Sequence, residues 1–207
     1  DGNITVLGGS AGDAITVATA AASGKVHSLS GGAGADTITG SAGAETIIGG
    51  AGADSLDGAA GNDSISGGAG NDTFSFMTSA ELNSADTVDG GDGTDNLDVT
   101  TGVNLDSSST ANTSVTLTSI ETVDITLTAD NLSFDATNWA SLTGLTLASG
   151  TDDYTPTISN LPTGVVVTLG DADVDDTTLD TVAGADLTGA TLTNANLRSE
   201  ERRVGKS

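Results

Sequence analysis

Gly31-Gly-Ala-Gly-Ala-Asp-Thr-Ile-Thr39 is the first of five nonapeptides that follow one another without a gap as far as Ser75. Each nonapeptide fits the pattern G-G-x-G-x-D-x-U-x, in which U is a large apolar residue. Tandem repetition at a fixed period predicts a solenoid, in which every unit folds alike and stacks on its neighbours. The repeat therefore predicts repetitive β structure before any single strand is considered.

The five units differ in how well they keep the pattern. The first, third and fifth match at every fixed position, whereas the second and fourth carry Ser41 and Ala59 at the second glycine. The second unit also has Glu45 in place of Asp. Intact and imperfect units thus alternate with a period of eighteen residues. This period predicts two nonapeptides per coil and two edges that perform one task unequally well.

The pattern recurs on both sides of the uninterrupted block. One copy spans Gly8–Thr16, with Ala11 in place of a glycine, and another spans Gly90–Asp98 intact. Each is displaced by twenty-three residues from the nearest intact unit, which equals one coil plus five inserted residues. On this interpretation residues 81–89 form a degenerate unit that keeps Asp86 in register.

The glycines of a unit indicate its conformation. At the first, second and fourth positions they permit positive φ and close backbone approach, so six residues can form a tight turn with inward carbonyl oxygens. The last three residues form a short strand with one inward apolar side chain. That side chain contributes roughly 1.5–3 kcal/mol on burial, against roughly 1–2 kcal/mol of backbone entropy for each ordered residue. We predict an all-β fold, a right-handed parallel β-roll or β-helix solenoid that needs support from cation-binding turns.

Stacked coils bring acidic side chains together. At about 4.8 Å, the spacing of neighbouring strands, Asp36, Asp54 and Asp72 form one column. Adjacent carboxylates there repel by roughly 3–4 kcal/mol at an effective dielectric constant near 20, and a divalent cation between them reverses the sign. Calcium accepts oxygen ligands in flexible geometry, whereas magnesium demands a strict octahedron and softer metals favour His or Cys. We predict Ca²⁺ as the cofactor, with folding coupled to its binding.

The alternative is a flexible Gly/Asp-rich linker, since high net charge and few aromatic residues are also typical of disorder. A linker gives no reason for an apolar residue two positions after the acid in five consecutive units. Without calcium, however, disorder is the prediction itself.

The overall composition agrees with a cation-binding protein. The chain has 29 acidic and five basic residues and a formal net charge of −24, which argues against nucleic acid and anionic membranes as partners. It has no cysteine and hence no disulfide framework, so calcium would do the cross-linking. No signal peptide or membrane span is recognised, and membrane insertion is not expected. Because the chain starts at Asp1 without Met, both natural termini are expected to lie outside it.

Residues 198–207 differ from the rest of the chain. They contain four of the five basic residues and read as the translation of a sequencing-adapter sequence, so we exclude them from the fold. Before them, alternating Thr/Ser-rich runs with the period of half-buried strands occur at 115–118, 123–127, 142–147 and 165–169. We therefore predict a calcium-binding β-roll at 1–98, a strand-rich, solenoid-like region at 99–197, and an artefact at 198–207.

Isolated features carry separate expectations. Asp171–Asp176 has acids at alternate places but lacks the glycine of an EF-hand loop, so an exposed acidic turn is expected. Ala185–Leu197 repeats A-x-L-x-x, the spacing of a square-sectioned β-helix, although a last strand is the alternative. His27 stands where a degenerate unit would place its acid and is expected to be a solvated turn residue. Trp139 and Tyr154 are expected to pack rather than bind.

Residues 8–98 resemble the RTX (repeats-in-toxin) family, whose β-roll binds calcium in its turns. Farther on, the segments Ser119-Ile-Glu-Thr-Val-Asp-Ile125, Phe134-Asp-Ala and Leu142-Thr-Gly-Leu-Thr-Leu147 are similar to RTX-type bacterial surface-layer proteins and large RTX adhesins. The resemblance implies export by a type I system and folding outside the cell, where calcium is abundant.

The same resemblance implies which residues bind the ion. Carboxylate ligands are expected in the sixth position of a unit, and carbonyl ligands in the first and third. Including acids in the same register, the candidate ligands are Asp13, Gly31, Ala33, Asp36, Glu45, Gly49, Ala51, Asp54, Asp63, Gly67, Ala69, Asp72, Asp86 and Asp95. Because Ser41, Glu45 and Ala59 depart from the pattern, occupancy of the second edge is left open.

Three functions are compatible with these features. The first is a structural, non-enzymatic fragment of a secreted surface-layer or adhesin-like protein, whose partners would be calcium, neighbouring copies or cell-surface glycan. The second is the calcium-dependent secretion and folding module of an exoenzyme, for which H-E-x-x-H or G-x-S-x-G upstream would decide; neither occurs here. The third is a Thr-rich face for ice or glycan, which needs more regular Thr spacing than the chain shows beyond residue 99.

Overall fold

The computed structural model describes residues 2–18, 25–77, 81–82, 85–100, 116–127, 133–136, 139–149, 157–159, 161–171 and 191–193. All regular secondary structure within these ranges is β-strand, which confirms the predicted all-β class. The strands are β1 (Thr5–Leu7), β2 (Ala14–Thr16), β3 (Val26–Ala33), β4 (Thr37–Thr39), β5 (Ala44–Ala51), β6 (Ser55–Asp57), β7 (Ser64–Ala69), β8 (Thr73–Phe76), β9 (Thr87–Asp92), β10 (Asn96–Thr100), β11 (Thr116–Thr118), β12 (Thr122–Leu127), β13 (Ser133–Asp135), β14 (Gly144–Ser149), β15 (Thr157–Ser159), β16 (Val166–Asp171) and β17 (Thr191–Thr193). The described residues include no helix that could span a membrane.

The strands form parallel sheets in the order expected of a solenoid. Sheet A runs β1-β3-β5-β7-β9-β11, and sheet B runs β17-β16-β14-β12-β10-β8-β6-β4-β2. Successive strands alternate between the two sheets as far as β12, so each coil contributes one strand to each. Strands β13 and β15 form a separate parallel pair. The predicted β-solenoid is confirmed.

The register between coils shows where residues are inserted. Thr37 pairs with Ser55, and Ser55 with Thr73, a step of eighteen residues. The steps from Ala14 to Thr37 and from Thr73 to Asn96 are twenty-three residues. The predicted five-residue insertions therefore leave the register of both sheets intact.

Sheet A corrects the prediction that only the last three residues of a unit form a strand. In sheet B this holds for β4 and β6, but β5 begins inside one unit and continues through Gly49, Gly50 and Ala51 of the next. Pairing of Gly32 with Gly50 and of Gly50 with Gly68 extends the ladder into the turn. Because glycine has no side chain, the coils can stack this closely. About half of the six turn residues of the unit at Gly49 therefore belong to strand β5.

The core is a double column of apolar side chains between the sheets. Sheet A supplies Leu29, Ile47, Ile65 and Val88, and sheet B supplies Ile38, Leu56, Phe74 and Leu97. All eight are at most 2% exposed. The apolar position of each repeat unit therefore faces inward, as predicted, and β8 and β10 each bury a second apolar residue, Phe76 and Val99.

Sheet B continues without interruption beyond the last nonapeptide. Strand β10 pairs with β12, which pairs with β14 and then β16. Val123, Leu145 and Val167 prolong the apolar column of the repeats. The four alternating runs predicted as strands coincide with β11, β12, β14 and β16, displaced by at most two residues. Trp139 is buried in this part of the core, as expected.

Other predictions fall mostly outside the described residues. These are Tyr154, residues 172–176 of the acidic turn, and the tail at 198–207. Of Ala185–Leu197, only β17 is described, and it pairs with β16.

Candidate metal centre

Acidic residues form a continuous column along one edge of the solenoid. This first edge carries the turns that begin at Gly8, Gly31, Gly49, Gly67 and Gly90. The backbone N–H of each acid donates to the carboxylate of the acid one coil farther on, at 2.7 to 2.8 Å. The members of the column, in order, are Asp13, Asp36, Asp54, Asp72, Asp95 and Glu121. The predicted stacking of Asp36, Asp54 and Asp72 is therefore present.

Four of the five aspartates on this edge have one oxygen without a protein partner; the exception is Asp13, whose Oδ2 accepts a hydrogen bond from Gly9 N–H at 2.7 Å. Oδ1 of Asp36, Asp54, Asp72 and Asp95 accepts the inter-coil hydrogen bond, but Oδ2 of the same four residues is buried and has no hydrogen-bond donor. These side chains are at most 2% exposed. A buried, unpaired carboxylate oxygen is costly unless a cation satisfies it.

A second oxygen lies beside the unpaired Oδ2, here called the orphan oxygen, of Asp54 and of Asp72. A Cβ built on Gly49 would lie close to both Asp54 Oδ2 and the carbonyl oxygen of Gly67, 2.7 Å from the latter. A Cβ on Gly67 would likewise meet Asp72 Oδ2 and the carbonyl oxygen of Gly90, 2.6 Å from the latter. The first glycine of a unit therefore leaves open a small cradle bordered by two oxygens of adjacent coils. Any side chain there would fill it.

The third residue of a turn takes part in hydrogen bonds between coils. The carbonyl oxygens of Ala51 and Ala69 each accept a 2.7 Å hydrogen bond, from the N–H groups of Gly34 and Gly52 of the preceding coil. A carbonyl oxygen has two lone pairs, so a ligand role for these atoms stays a prediction. Ala33 also links two coils, because its N–H donates to the carbonyl oxygen of Gly9. A ligand role for the Ala33 carbonyl oxygen likewise stays a prediction.

The second edge carries the units that begin at Gly40 and Gly58 and the degenerate unit at 81–89. Its acids are also linked from coil to coil, because Glu45 N–H donates to Asp63 Oδ1 and Asp63 N–H donates to Asp86 Oδ1, both at 2.8 Å. Oδ2 of Asp63 is buried and lacks a hydrogen-bond partner. The degenerate unit thus keeps Asp86 in register, as predicted.

Glu45 differs from the repeat aspartates because its own unit satisfies it. Ser41 Oγ donates to Oε1 at 2.7 Å, and Ser41 N–H donates to Oε2 at 3.0 Å. The two departures from the repeat pattern therefore compensate each other. The other departure, Ala59, has φ of +59°, where glycine is the favoured residue. The second edge thus has turns of different conformation from the first-edge turns that begin at Gly31, Gly49, Gly67 and Gly90, in which the second and fourth glycines have positive φ.

His27 corrects another expectation. It pairs in register with Glu45, the place of an acid in a degenerate unit. It is only 2% exposed, however, and neither ring nitrogen has a hydrogen-bond partner. The expectation that His27 is a solvated turn residue is wrong. Strand β3 begins before His27 and directs the His27 ring inward, on the same side as the core residue Leu29.

Burial alters the acid strength of both columns. It raises the pKa of Asp63 to about 8 and that of Asp72 to about 6, and nearby carboxylates add to both shifts. The pKa values of Asp54 and Asp95 are raised for the same reason, burial first. A backbone hydrogen bond opposes the shift in each case. Protons therefore compete with a cation for these oxygens.

Calcium affinity should rise with pH. The pKa of such a carboxyl group in the unfolded chain is near 4, so between pH 4 and its raised folded pKa only the folded state keeps the proton. The calcium-free fold therefore loses stability as the pH rises from about 4 towards 8. Calcium must displace that proton. A site that releases one proton should bind ~10-fold more weakly per pH unit below the pKa. Calorimetric titration at pH 6 and pH 8, in buffers of different ionisation enthalpy, measures both the calcium affinity and the number of protons released.

The control for this titration is Asp63→Asn. It should reduce proton release between pH 6 and 8. Equal calcium affinity of the unmodified chain at pH 6 and pH 8, without proton release, would contradict the competition.

The donor set fits a hard cation. The first-edge column offers only carboxylate and carbonyl oxygens, the ligands of calcium rather than of soft metals. In the part of the chain that the structure describes, no three acidic or histidine side chains converge on one point. A bound cation must therefore take most of its oxygens from the backbone, which the cradles beside the first glycines can provide. The fold and site define this region as a cation-binding β-roll.

The family comparison specifies the cation. Residues 28–56, 39–74 and 83–105 match the RTX calcium-binding nonapeptide repeat, together about a third of the chain. The described residues of these ranges therefore form a β-roll of RTX calcium-binding repeats, and Ca²⁺ is its cofactor, as the resemblance implied. No curated protein and no solved structure shows a significant match to the chain.

Sequence reasoning missed one member of the first-edge column. Glu121 lies outside every nonapeptide, yet its carboxylate takes the place of the next aspartate after Asp95. The signal was available in principle, because Glu121 directly precedes an alternating run just as Asp95 precedes Asn96-Leu97-Asp98. Glu121 could not be recognised from the period, because it lies twenty-six residues after Asp95 rather than eighteen.

Proposed function

We propose that this chain is a non-enzymatic, structural part of a secreted bacterial surface-layer or adhesin-like protein, which folds outside the cell when calcium binds. The observation that carries the proposal is the row of buried, unpartnered Oδ2 atoms along the first edge. Such a row is unfavourable without cations and rigid with them. Low calcium inside the cell would keep the chain unfolded for type I export, and extracellular calcium would fold it.

The continuous sheet B supports a structural role. It joins the calcium-binding coils to strands β12, β14 and β16, which extend the same parallel stack. A solenoid that is stiffened at one end by ions suits a surface array or stalk, in which neighbouring copies or cell-surface glycan would be the partners. The division at residue 98 is then a change of coil type within one stack.

An exoenzyme module is the second candidate, because the same calcium-dependent β-roll would serve secretion of a protease or lipase. The complete reading frame discriminates the two. An H-E-x-x-H or G-x-S-x-G motif upstream would favour the enzyme.

Calcium titration of the chain and of two variants tests the calcium-dependent role. Asp54→Ala removes the central acid of the first edge, including one inter-coil hydrogen bond and one orphan oxygen. We expect at least a ten-fold loss of calcium affinity, with a smaller loss for Glu45→Ala, whose carboxylate is satisfied by Ser41. Equal losses would contradict the inequality of the edges, and absence of calcium uptake by the unmodified chain would refute the function.

A further inference from the structure

The first-edge column extends one coil beyond the last nonapeptide. Asp95 N–H donates to Glu121 Oε2 at 2.8 Å, repeating the bond that links every aspartate to the next coil. In return, the N–H groups of Glu121 and Thr122 reach the carbonyl oxygen of Asp95 at 3.2 and 3.0 Å. Glu121 is thus held firmly in the place of a repeat acid.

The corner that presents Glu121 is much shorter than a nonapeptide turn. In a repeat unit the first glycine and the acid are five positions apart, as in Gly90 and Asp95. In the corner the corresponding residues, Ser119 and Glu121, are two positions apart. Ser119 has φ of +52°, a conformation that non-glycine residues rarely adopt. This conformation belongs to a tight corner that turns β11 into β12.

Ser119 takes the place of a first glycine. A Cβ built on Gly90 would lie against the carbonyl oxygen of Ser119 and against Asp95 Oδ2. The cradles at Gly49 and Gly67 have the same composition, a carbonyl oxygen of the next coil and Oδ2 of the unit's own aspartate. Asp95 Oδ2 is buried, and it also lacks a hydrogen-bond donor.

We propose that Ser119 and Glu121 close an additional calcium site against Asp95, one coil beyond the nonapeptides. Its ligands are the carbonyl oxygen of Ser119, the carboxylate of Glu121 and Oδ2 of Asp95. This inference rests on the proposed calcium function, because it extends the same column. The corner lacks the intermediate residues of a full turn, so water completes the coordination and the site binds calcium more weakly than the sites between intact turns.

The chain contains a natural reporter for this site. Trp139 is the only tryptophan, and it lines the same pocket as Ser119 and Ile120. Terbium occupies calcium sites and luminesces when a nearby indole transfers energy to it. Because that transfer falls steeply with distance, selective excitation of the indole reports mainly the ion at the corner and not ions near the earlier coils.

The variant Glu121→Gln tests the proposal in the full chain. It keeps the length of the side chain and an acceptor for Asp95 N–H but removes the charge. The matched control is Asp124→Asn, which removes the same charge three residues away, on the opposite face of β12 from the buried Val123 and Ile125. Circular dichroism in saturating calcium checks that both variants are folded.

We expect Glu121→Gln to bind one calcium ion fewer per chain in equilibrium dialysis and to lose most of its indole-sensitised terbium luminescence. Asp124→Asn should match the unmodified chain in both measurements. An unchanged ion count and luminescence in Glu121→Gln would overturn the proposal and leave Glu121 as a hydrogen-bonding cap. If that variant fails to fold, the unmodified chain still decides, because absence of indole-sensitised luminescence there excludes an ion near Trp139. Failure of the proposed function has a different signature, namely no calcium uptake at all.

Discussion

Removal of calcium by a chelator at neutral pH is expected to abolish most of the β signal in circular dichroism. The first-edge column stacks Asp36, Asp54, Asp72 and Asp95 one coil apart. Adjacent carboxylates at about 4.8 Å repel by roughly 3–4 kcal/mol at an effective dielectric constant near 20. Over three such steps the repulsion reaches roughly 9–12 kcal/mol, which is comparable with the roughly 5–15 kcal/mol that stabilises an ordinary domain.

The return of calcium should restore the signal. An ion at tenfold its dissociation constant stabilises the folded state by roughly 1.4 kcal/mol per site, and the sites act together. Calcium in the range of roughly 0.1–1 mM, typical of extracellular modules, should therefore suffice. Magnesium at the same concentration is the control and should restore little, because it tolerates the irregular oxygen cradle poorly. A spectrum unchanged by the chelator would contradict the coupling of folding to calcium.

Gly68→Ala is expected to destabilise the backbone of the repeats strongly. Gly68 has φ of +115°, which an alanine rarely adopts, and a Cβ there would collide with the carbonyl oxygen of Gly50 in the preceding coil. The strained conformation alone costs roughly 1–3 kcal/mol. The collision should additionally separate two coils whose turns are proposed to bind calcium between them, so the calcium midpoint of folding should rise several-fold.

Two glycines supply matched controls for this substitution. Gly164→Ala imposes a similar conformational cost, since φ is +92°, but a Cβ there meets no atom within 4 Å. Gly9→Ala tests the second glycine of a unit where the nearest atom is 3.8 Å away. The calcium midpoint, followed by circular dichroism, should change least for these two variants. If Gly68→Ala behaves like Gly164→Ala, close approach between coils is not the source of the effect.

The repeat by itself determined the fold of the nonapeptide units between residues 8 and 98 that the structure describes. A nine-residue period with glycine, acid and apolar positions specifies a turn, a strand and an inward side chain in each unit, so Ile38, Leu56 and Phe74 could be placed in the core in advance. The oxygen-only composition of the turns likewise specified calcium. These are local properties of a nonapeptide, and stacking merely repeats them.

Only the tertiary structure decided what happens between coils that are not equally long. The position of Glu121 above Asp95, the hydrogen bonds from Ser41 to Glu45 and the burial of His27 depend on which residues become neighbours after insertions and shortened corners. The extension of sheet A through Gly49 and Gly50 depends on pairing with the next coil in the same way. The periodic sequence predicts the conformation within each unit. The contacts between coils depend in addition on loop lengths, which follow no period and therefore cannot be read from the repeat.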